Sequence, residues 1–214
     1  CPVIVSFLAI CTGSIYKGVI MHYEELAGLP EPDSDSAAHC RQVSEYIADR
    51  IEASGGSISF AEFMQHALYA HGLGYYTAGS VKFGEAGDFV TAPEISGVFG
   101  RVLACQYAGV LGSIENSEIL EFGAGSGKLA VDVLSKLEEL GSLPGRYLIL
   151  EVTADLQDRQ RRLIESRLPG LIGRVEWINE RPSSFDGVVV ANEVLDAMPV
   201  ERFQRTDNAV LQQR

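Results

Sequence analysis

Between residues 119 and 129 the chain reads ILEFGAGSGKL: an apolar run breaks into three glycines at alternate positions, then resumes with helical periodicity. A strand that turns through glycines into a helix is half of a crossover unit, and few folds accept one. The pattern around it repeats the theme. Strand-like runs at 118–122, 147–152, 175–178 and 187–191 alternate with helical patterns at 129–140 and 156–168. Short apolar strands alternating with helices indicate a parallel, doubly wound α/β sheet, which binds its ligand at the carboxyl ends of the strands where the chain order reverses.

Upstream the periodicity is purely helical. Val43, Tyr46, Ile47 and Ile51 fall on one face of a helix over 37–53, stopped by Gly55-Gly56. Ser59 to Glu62 has the S-x-x-E form of a capping box and opens a second helix that ends near Gly72. A loop of about twenty residues follows, a length that marks functional or disordered segments. Ile95, Phe99, Val102, Leu103 and Val110 then mark a third helix. The organisation read from these patterns is a linker or extension over 1–36, an N-terminal helical region with a ligand-covering loop over 37–112, and a Rossmann-like domain over 113–214. Residues 1–20 contain an apolar run about half a membrane span long, without signal-peptide flanks, and Met21 is an alternative start.

Charge and cysteine usage exclude several classes. With 29 acidic against 17 basic side chains and a net charge of −12, the chain is a poor match to a backbone-tracking nucleic-acid binder, so a protein or small-molecule partner is expected. Its four cysteines show no C-x-x-C spacing and its four histidines no H-x-x-x-H pair, which argues for a reduced compartment and against a metal site.

The glycine loop has three readings. A phosphate-binding P-loop needs a glycine where Phe122 stands and a hydroxyl where Leu129 stands, so it fails twice. A dinucleotide fingerprint fits Gly123 and Gly125 but meets Lys128 at its third glycine. The third reading starts from Glu121, in the order E-x-G-x-G-x-G through Gly123, Gly125 and Gly127. A carboxylate aimed at the mouth of this loop repels a pyrophosphate and attracts a cation, and S-adenosylmethionine (SAM) carries both an ammonium and a sulfonium. Glu151, at the end of the second strand, offers an acid for ribose hydroxyls in either a SAM or a nicotinamide site.

Three segments, GEAGDFVTAPEISGVFG (84–100), EFGAGSGKLAVDVL (121–134) and VVVANEVLDAMPVERF (188–203), occur in an order that resembles the MidA-like family of class I SAM-dependent methyltransferases. The resemblance covers about residue 44 to the C-terminus, and the G-D-F-x-T-A-P-E and N-E-x-x-D-A-x-P motifs are its most specific parts. It implies a Rossmann-like class I methyltransferase sheet of seven strands. Only four are legible here, so the sheet reads as truncated, the N-terminal half of one. It also implies, in the mitochondrial branch of the family, methylation of protein arginine linked to respiratory complex I assembly. Glu121, Gly123, Gly125, Gly127, Glu151 and Asn192 then fall on the cofactor side, and Asp88, Thr91, Pro93 and Glu94 on a loop that closes over it. The implied partner is a protein substrate such as a complex I subunit. The implied location is the bacterial cytoplasm or, in a eukaryote, the mitochondrial matrix, without secretion or a membrane span.

An arginine acceptor is protonated at all ordinary pH, with its lone pair delocalised. Carboxylates paired with two of its nitrogens can leave the third aimed at a methyl. Glu193 and Asp196, three residues apart after an apolar strand, are the candidate catalytic pair and share a face if a helical turn begins there. Alternatively, Asn192 and Asp196 cap the next helix. Two other function classes stay open: an assembly module that keeps the fold without catalysis, and a nicotinamide-dependent oxidoreductase, which Glu121 disfavours.

Overall fold

A computed structural model describes residues 33–78 and 90–213. Asp88, Phe89, residues 1–20 and Met21 lie outside the described residues. The chain divides into two compact units, residues 79–197 on one hand and residues 1–78 with 198–214 on the other.

In the unit of residues 1–78 and 198–214, α1 (Ser34–Ala53) starts three residues before the sequence pattern suggests. The reason is Asp33, whose side chain accepts the backbone N–H groups of Asp35 and Ser36, so the stretch expected to be linker is the first turn of the helix. Helix α2 (Phe60–Tyr69) opens on the expected capping box: Glu62 accepts the Ser59 N–H at 2.7 Å and Ser59 Oγ accepts the Glu62 N–H at 3.2 Å. Val43, Ile47 and Ile58 form the buried centre here. Tyr46 meets His66 edge-on between the two helices, with its hydroxyl 3.4 Å from Nδ1. Tyr76 stacks on Tyr69 and meets Tyr75 edge-on, pinning the chain that leaves α2.

The unit of residues 79–197 carries the sheet. The third helix expected from the sequence is two: α3 (Ala92–Ile95) and α4 (Val98–Leu111), broken at Ser96-Gly97. The buried face of α4 matches only part of what its bulky residues mark: Phe99 and Leu103 pack against the core. Gly100, Ala104 and Leu111 are its buried positions, whereas Val102 and Val110 face out, as does Ile95 on α3, at 74% exposure. Small residues win the inner face because α4 lies close against α5 (Lys128–Glu139). A Cβ at Gly100 would stand 2.7 Å from Asp132 Cβ. Arg101 ties the same two helices at the surface, reaching Glu139 at 2.8 Å.

Strands β1 (Glu118–Phe122), β2 (Arg146–Leu150), β3 (Val175–Ile178) and β4 (Gly187–Ala191) form one parallel sheet in the order β3-β2-β1-β4. Helix α5 crosses from β1 to β2 and α6 (Ala154–Arg167) from β2 to β3. The chain order therefore reverses between β1 and β4, the place where open parallel sheets take their ligand. Ile119, Tyr147, Ile149 and Val190 from the strands, with Leu129, Val133, Leu134 and Leu137 from α5, make up the core. β4 runs along the sheet's edge, and Val189, in the middle of its apolar run, is 55% exposed. A separate antiparallel pair, β5 (Phe203–Arg205) with β6 (Val210–Gln212), belongs to the other unit. Among the described residues no helix is long and apolar enough to cross a membrane.

Candidate functional site

The loop between β1 and α5 has all three glycines in the left-handed region, with φ of 57° at Gly123, 54° at Gly125 and 85° at Gly127. An L side chain rarely adopts that conformation, which is why the alternate positions are glycine. The bent backbone leads into the head of α5 beside the β1/β4 switch point, with the Gly123 N–H donating to the Leu150 carbonyl and the Gly127 N–H to the Ala124 carbonyl. Lys128 does not reach over this loop, because its Nζ pairs with Asp132 one turn on at 2.8 Å. That geometry leaves a P-loop reading without its lysine as well as without its hydroxyl.

Two carboxylates flank the loop. Glu121 is 3% exposed, and its Oε2 accepts the Tyr147 hydroxyl at 2.8 Å. It therefore lies within the sheet's buried face rather than in the open mouth of the loop that the sequence suggests. Burial pushes its carboxyl up to about 7; the Tyr147 hydrogen bond opposes the rise and the neighbouring Glu151 charge adds to it. Glu151, the first residue after β2, is 5% exposed. Its two oxygens accept from the Thr153 N–H and the Gln160 amide, each at 3.1 Å. Burial raises its pKa, against the hydrogen bonds from Thr153 and Gln160. Among the described residues neither carboxylate forms an ion pair with Lys, Arg or His. Two buried acids without a counter-charge are unfavourable on their own and favourable beside a cationic ligand.

The segment before α4 touches the loop as well. Thr91 precedes α3, and its carbonyl accepts the Glu94 N–H at 2.9 Å; Pro93 is buried in the first turn. The Glu94 carboxylate accepts a hydrogen bond from Ser126 Oγ, and that oxygen accepts the Lys128 N–H at 3.3 Å. Glu94 is thereby joined to the glycine loop through Ser126.

After β4 the chain passes over the loop's first glycine, where a Cβ at Gly123 would stand 3.5 Å from Val194 Cγ2. Asn192 is half-buried and Glu193 exposed, with Glu193 at φ 52°. A non-glycine residue held in the left-handed region is a mark of local constraint, common at functional positions. The helical turn expected to carry Glu193 and Asp196 together begins later: a 3₁₀ turn spans Leu195–Ala197, so Asp196 lies on it and Glu193 does not. Left-handed backbone at Glu193 breaks any continuous helix through that point. Among the described residues no hydrogen bond within the chain engages either carboxylate. No group of three or more His, Cys, Asp or Glu side chains among them has the placement of a metal centre.

Four residues at this site escape motif reading: Tyr147, Ser126, Gln160 and Trp177. Gln160 is visible in retrospect as the polar member of the inward stripe Leu156, Gln160, Ile164 on α6. Tyr147 sits in an otherwise aliphatic strand and carries no signal beyond its hydroxyl.

Comparison with known proteins agrees with this geometry. Residues 100–214 match the family described as "Putative S-adenosyl-L-methionine-dependent methyltransferase". The chain is 29% identical over 193 residues to the protein arginine methyltransferase NDUFAF7 of Danio rerio, covering 78% of this chain and 45% of that protein. It is 31% identical to the Bos taurus protein of the same name, over 72% of this chain and 40% of the relative. A COG1565 superfamily member from Burkholderia thailandensis, solved bound to S-adenosyl-homocysteine, superposes with a TM-score of 0.78 at 40% identity, covering 86% of this chain and 49% of that one. The chain thus spans about half the length of the relatives it matches.

Proposed function

The chain belongs to this family of S-adenosyl-L-methionine-dependent methyltransferases, and on that premise we propose that it forms the cofactor-holding part of an enzyme that methylates protein arginine. The observation that carries the reading is the loop of three left-handed glycines set between two buried, unpaired carboxylates at the β1/β4 switch point. SAM, when bound, supplies a methyl made electrophilic by the sulfonium.

The residues present fit that ligand in charge and in shape. Glu121 supplies negative charge for the cationic end, and Glu151, already oriented by Thr153 and Gln160, accepts from ribose hydroxyls. Gly123, Gly125 and Gly127 let the backbone approach closely, Asn192 completes the wall after β4, and Thr91, Pro93 and Glu94 cover the site; the sequence motif gives Asp88 the same role. Glu193 and Asp196 would take the acceptor, their carboxylates pairing with guanidinium nitrogens to localise its charge and leave the remaining nitrogen aimed toward the methyl donor. Positioning of this kind needs no covalent nucleophile. The acceptor is a protein, and a respiratory complex I subunit in the mitochondrial matrix is the substrate we propose for a eukaryotic source, with the cytoplasm as the site of action in a bacterium.

Calorimetric titration with S-adenosylhomocysteine, NAD and ATP tests the ligand class. Binding of the first alone supports the proposal; binding of NAD instead returns the dinucleotide reading.

A further inference from the structure

The inward stripe of α6 runs Leu156, Gln160, Ile164, and all three side chains are buried. A leucine at the middle position would fill such a site without any polar group to satisfy, whereas an amide left without partners there is costly. Gln160 is 0% exposed and loses nothing, because every polar hydrogen and its carbonyl oxygen are engaged. Its Nε2 donates to the Gly125 carbonyl at 3.0 Å and to Glu151 Oε2 at 3.1 Å, and its Oε1 accepts the Trp177 indole N–H at 2.8 Å.

The chemistry of the partners fixes which end of the amide is which. An indole N–H only donates, a peptide carbonyl only accepts, and so does an ionised carboxylate. One orientation satisfies all three contacts and the flipped one satisfies none. Trp177, on β3, is itself held with its ring under the Arg161 guanidinium, 4.2 Å from the ring centre. Gln160 also backs the third glycine, since a Cβ at Gly127 would meet its Cα and Cγ at 3.2 Å.

We infer that Gln160 is a positioning residue for the cofactor site: oriented by Trp177, its amide locks the Glu151 carboxylate and the Gly125 turn of the glycine loop into one rigid unit. This rests on the SAM reading given above and adds to it a residue that touches no ligand. Each Glu151 oxygen takes one hydrogen bond from the protein, Oε1 from the Thr153 N–H and Oε2 from the Gln160 amide, and keeps a second lone pair to meet ribose hydroxyls. Gln160 also helps hold that carboxylate ionised against its burial. The charged group nearest in effect is Glu121 on β1, while the contacts from α6 and β3 are the neutral Gln160 and Trp177.

The test pairs protein variants with ligand variants. Gln160→Met preserves length and apolar volume and removes both donors; Trp177→Phe keeps an aromatic ring and removes only the N–H that orients the amide. Each is titrated with S-adenosylhomocysteine and with its 2′,3′-dideoxy analogue, and melting curves report folding. A loss through the Gly125 carbonyl affects both ligands alike, whereas a loss through Glu151 appears only with the ligand that has hydroxyls. Gln160→Met is expected to weaken S-adenosylhomocysteine about tenfold or more, and by at least about fivefold more than the analogue, the scale of one hydrogen bond to a charged group. Trp177→Phe should shift both in the same sense by less, and it carries the test if Gln160→Met does not fold. Equal penalties on the two ligands, or none, overturn the inference while leaving the cofactor reading intact. A wild-type chain that binds neither ligand overturns both.

Discussion

Replacing Glu121 with glutamine separates what that residue does for the fold from what it does for the ligand. The side chain is 3% exposed, and its carboxyl is pushed up to about 7 from 4.5, chiefly by burial. A carboxyl raised in the folded state favours folding when protonated, so its penalty is small below the unfolded value, grows as pH rises from 4.5, and is complete above about 7. The gap of about 2.5 pKa units corresponds to roughly 3 kcal/mol. Glutamine keeps an oxygen to accept the Tyr147 hydroxyl and carries no charge to desolvate. Glu121→Gln is therefore expected to match the wild type near pH 4.5 and to exceed its stability by up to about 3 kcal/mol at pH 8, measured by urea unfolding without ligand. The same variant should bind SAM about tenfold or more weakly at pH 8, because the lost charge is the one that faces a cation. A stability difference that stays flat across this pH range would falsify the assignment of a desolvated carboxylate. A stabilised variant with undiminished SAM affinity would leave Glu121 a buried acid without a ligand.

The remaining predictions address the other parts of the site. Gly125→Val should abolish S-adenosylhomocysteine binding in calorimetry and lower stability by about 1–2 kcal/mol, since a β-branched residue is forced to φ 54°; retained affinity would remove the loop from the site. Glu151→Ala should weaken the same ligand by about 1–3 kcal/mol, the range for deleting a hydrogen-bond partner of charged type, and an unchanged dissociation constant would make Glu151 structural. Glu193→Gln should leave SAM affinity within about twofold and lower arginine methylation of a protein acceptor by roughly a hundredfold, whereas Asn192→Ala should reduce both; methylation by Glu193→Gln at the wild-type rate would rule out the arginine mechanism.

The parts of the fold legible in the sequence are those where local chemistry and tertiary packing ask for the same residue. The capping box at Ser59 and Glu62 is one case, since the cap is satisfied within four residues whatever packs outside. The two inner strands are another, because a parallel strand covered on both faces has to be an apolar run, as Ile119-Leu120 on β1 and Tyr147-Leu148-Ile149 on β2 are. Legibility fails where a long-range contact reverses the local preference. On α4 the bulky residues suggest the buried face, and Phe99 and Leu103 do pack on the core, yet close approach to Asp132 on α5 requires Gly100 there, and Val102 and Val110 turn outward. Val189 fails for the converse reason: its strand has the composition of an interior one, and its place at the sheet's edge is a property of strand order.

The site follows the same division, with a consequence for how its acids are read. Alternate glycines report directly on backbone conformation, and all three are left-handed. Acidic residues report only on charge, and charge is non-local. Glu121 is a plausible ligand of a cation from its spacing alone, but whether it is ionised depends on Tyr147 from the neighbouring strand and on Glu151 beyond it, residues 26 and 30 positions away in the chain. The side chain that ties Glu151 to the glycine loop comes from α6, through an amide oriented by β3. The glycines after β1 and the acid after β2 are thus tied together only once the crossover helix has packed, through one buried glutamine that no motif contains.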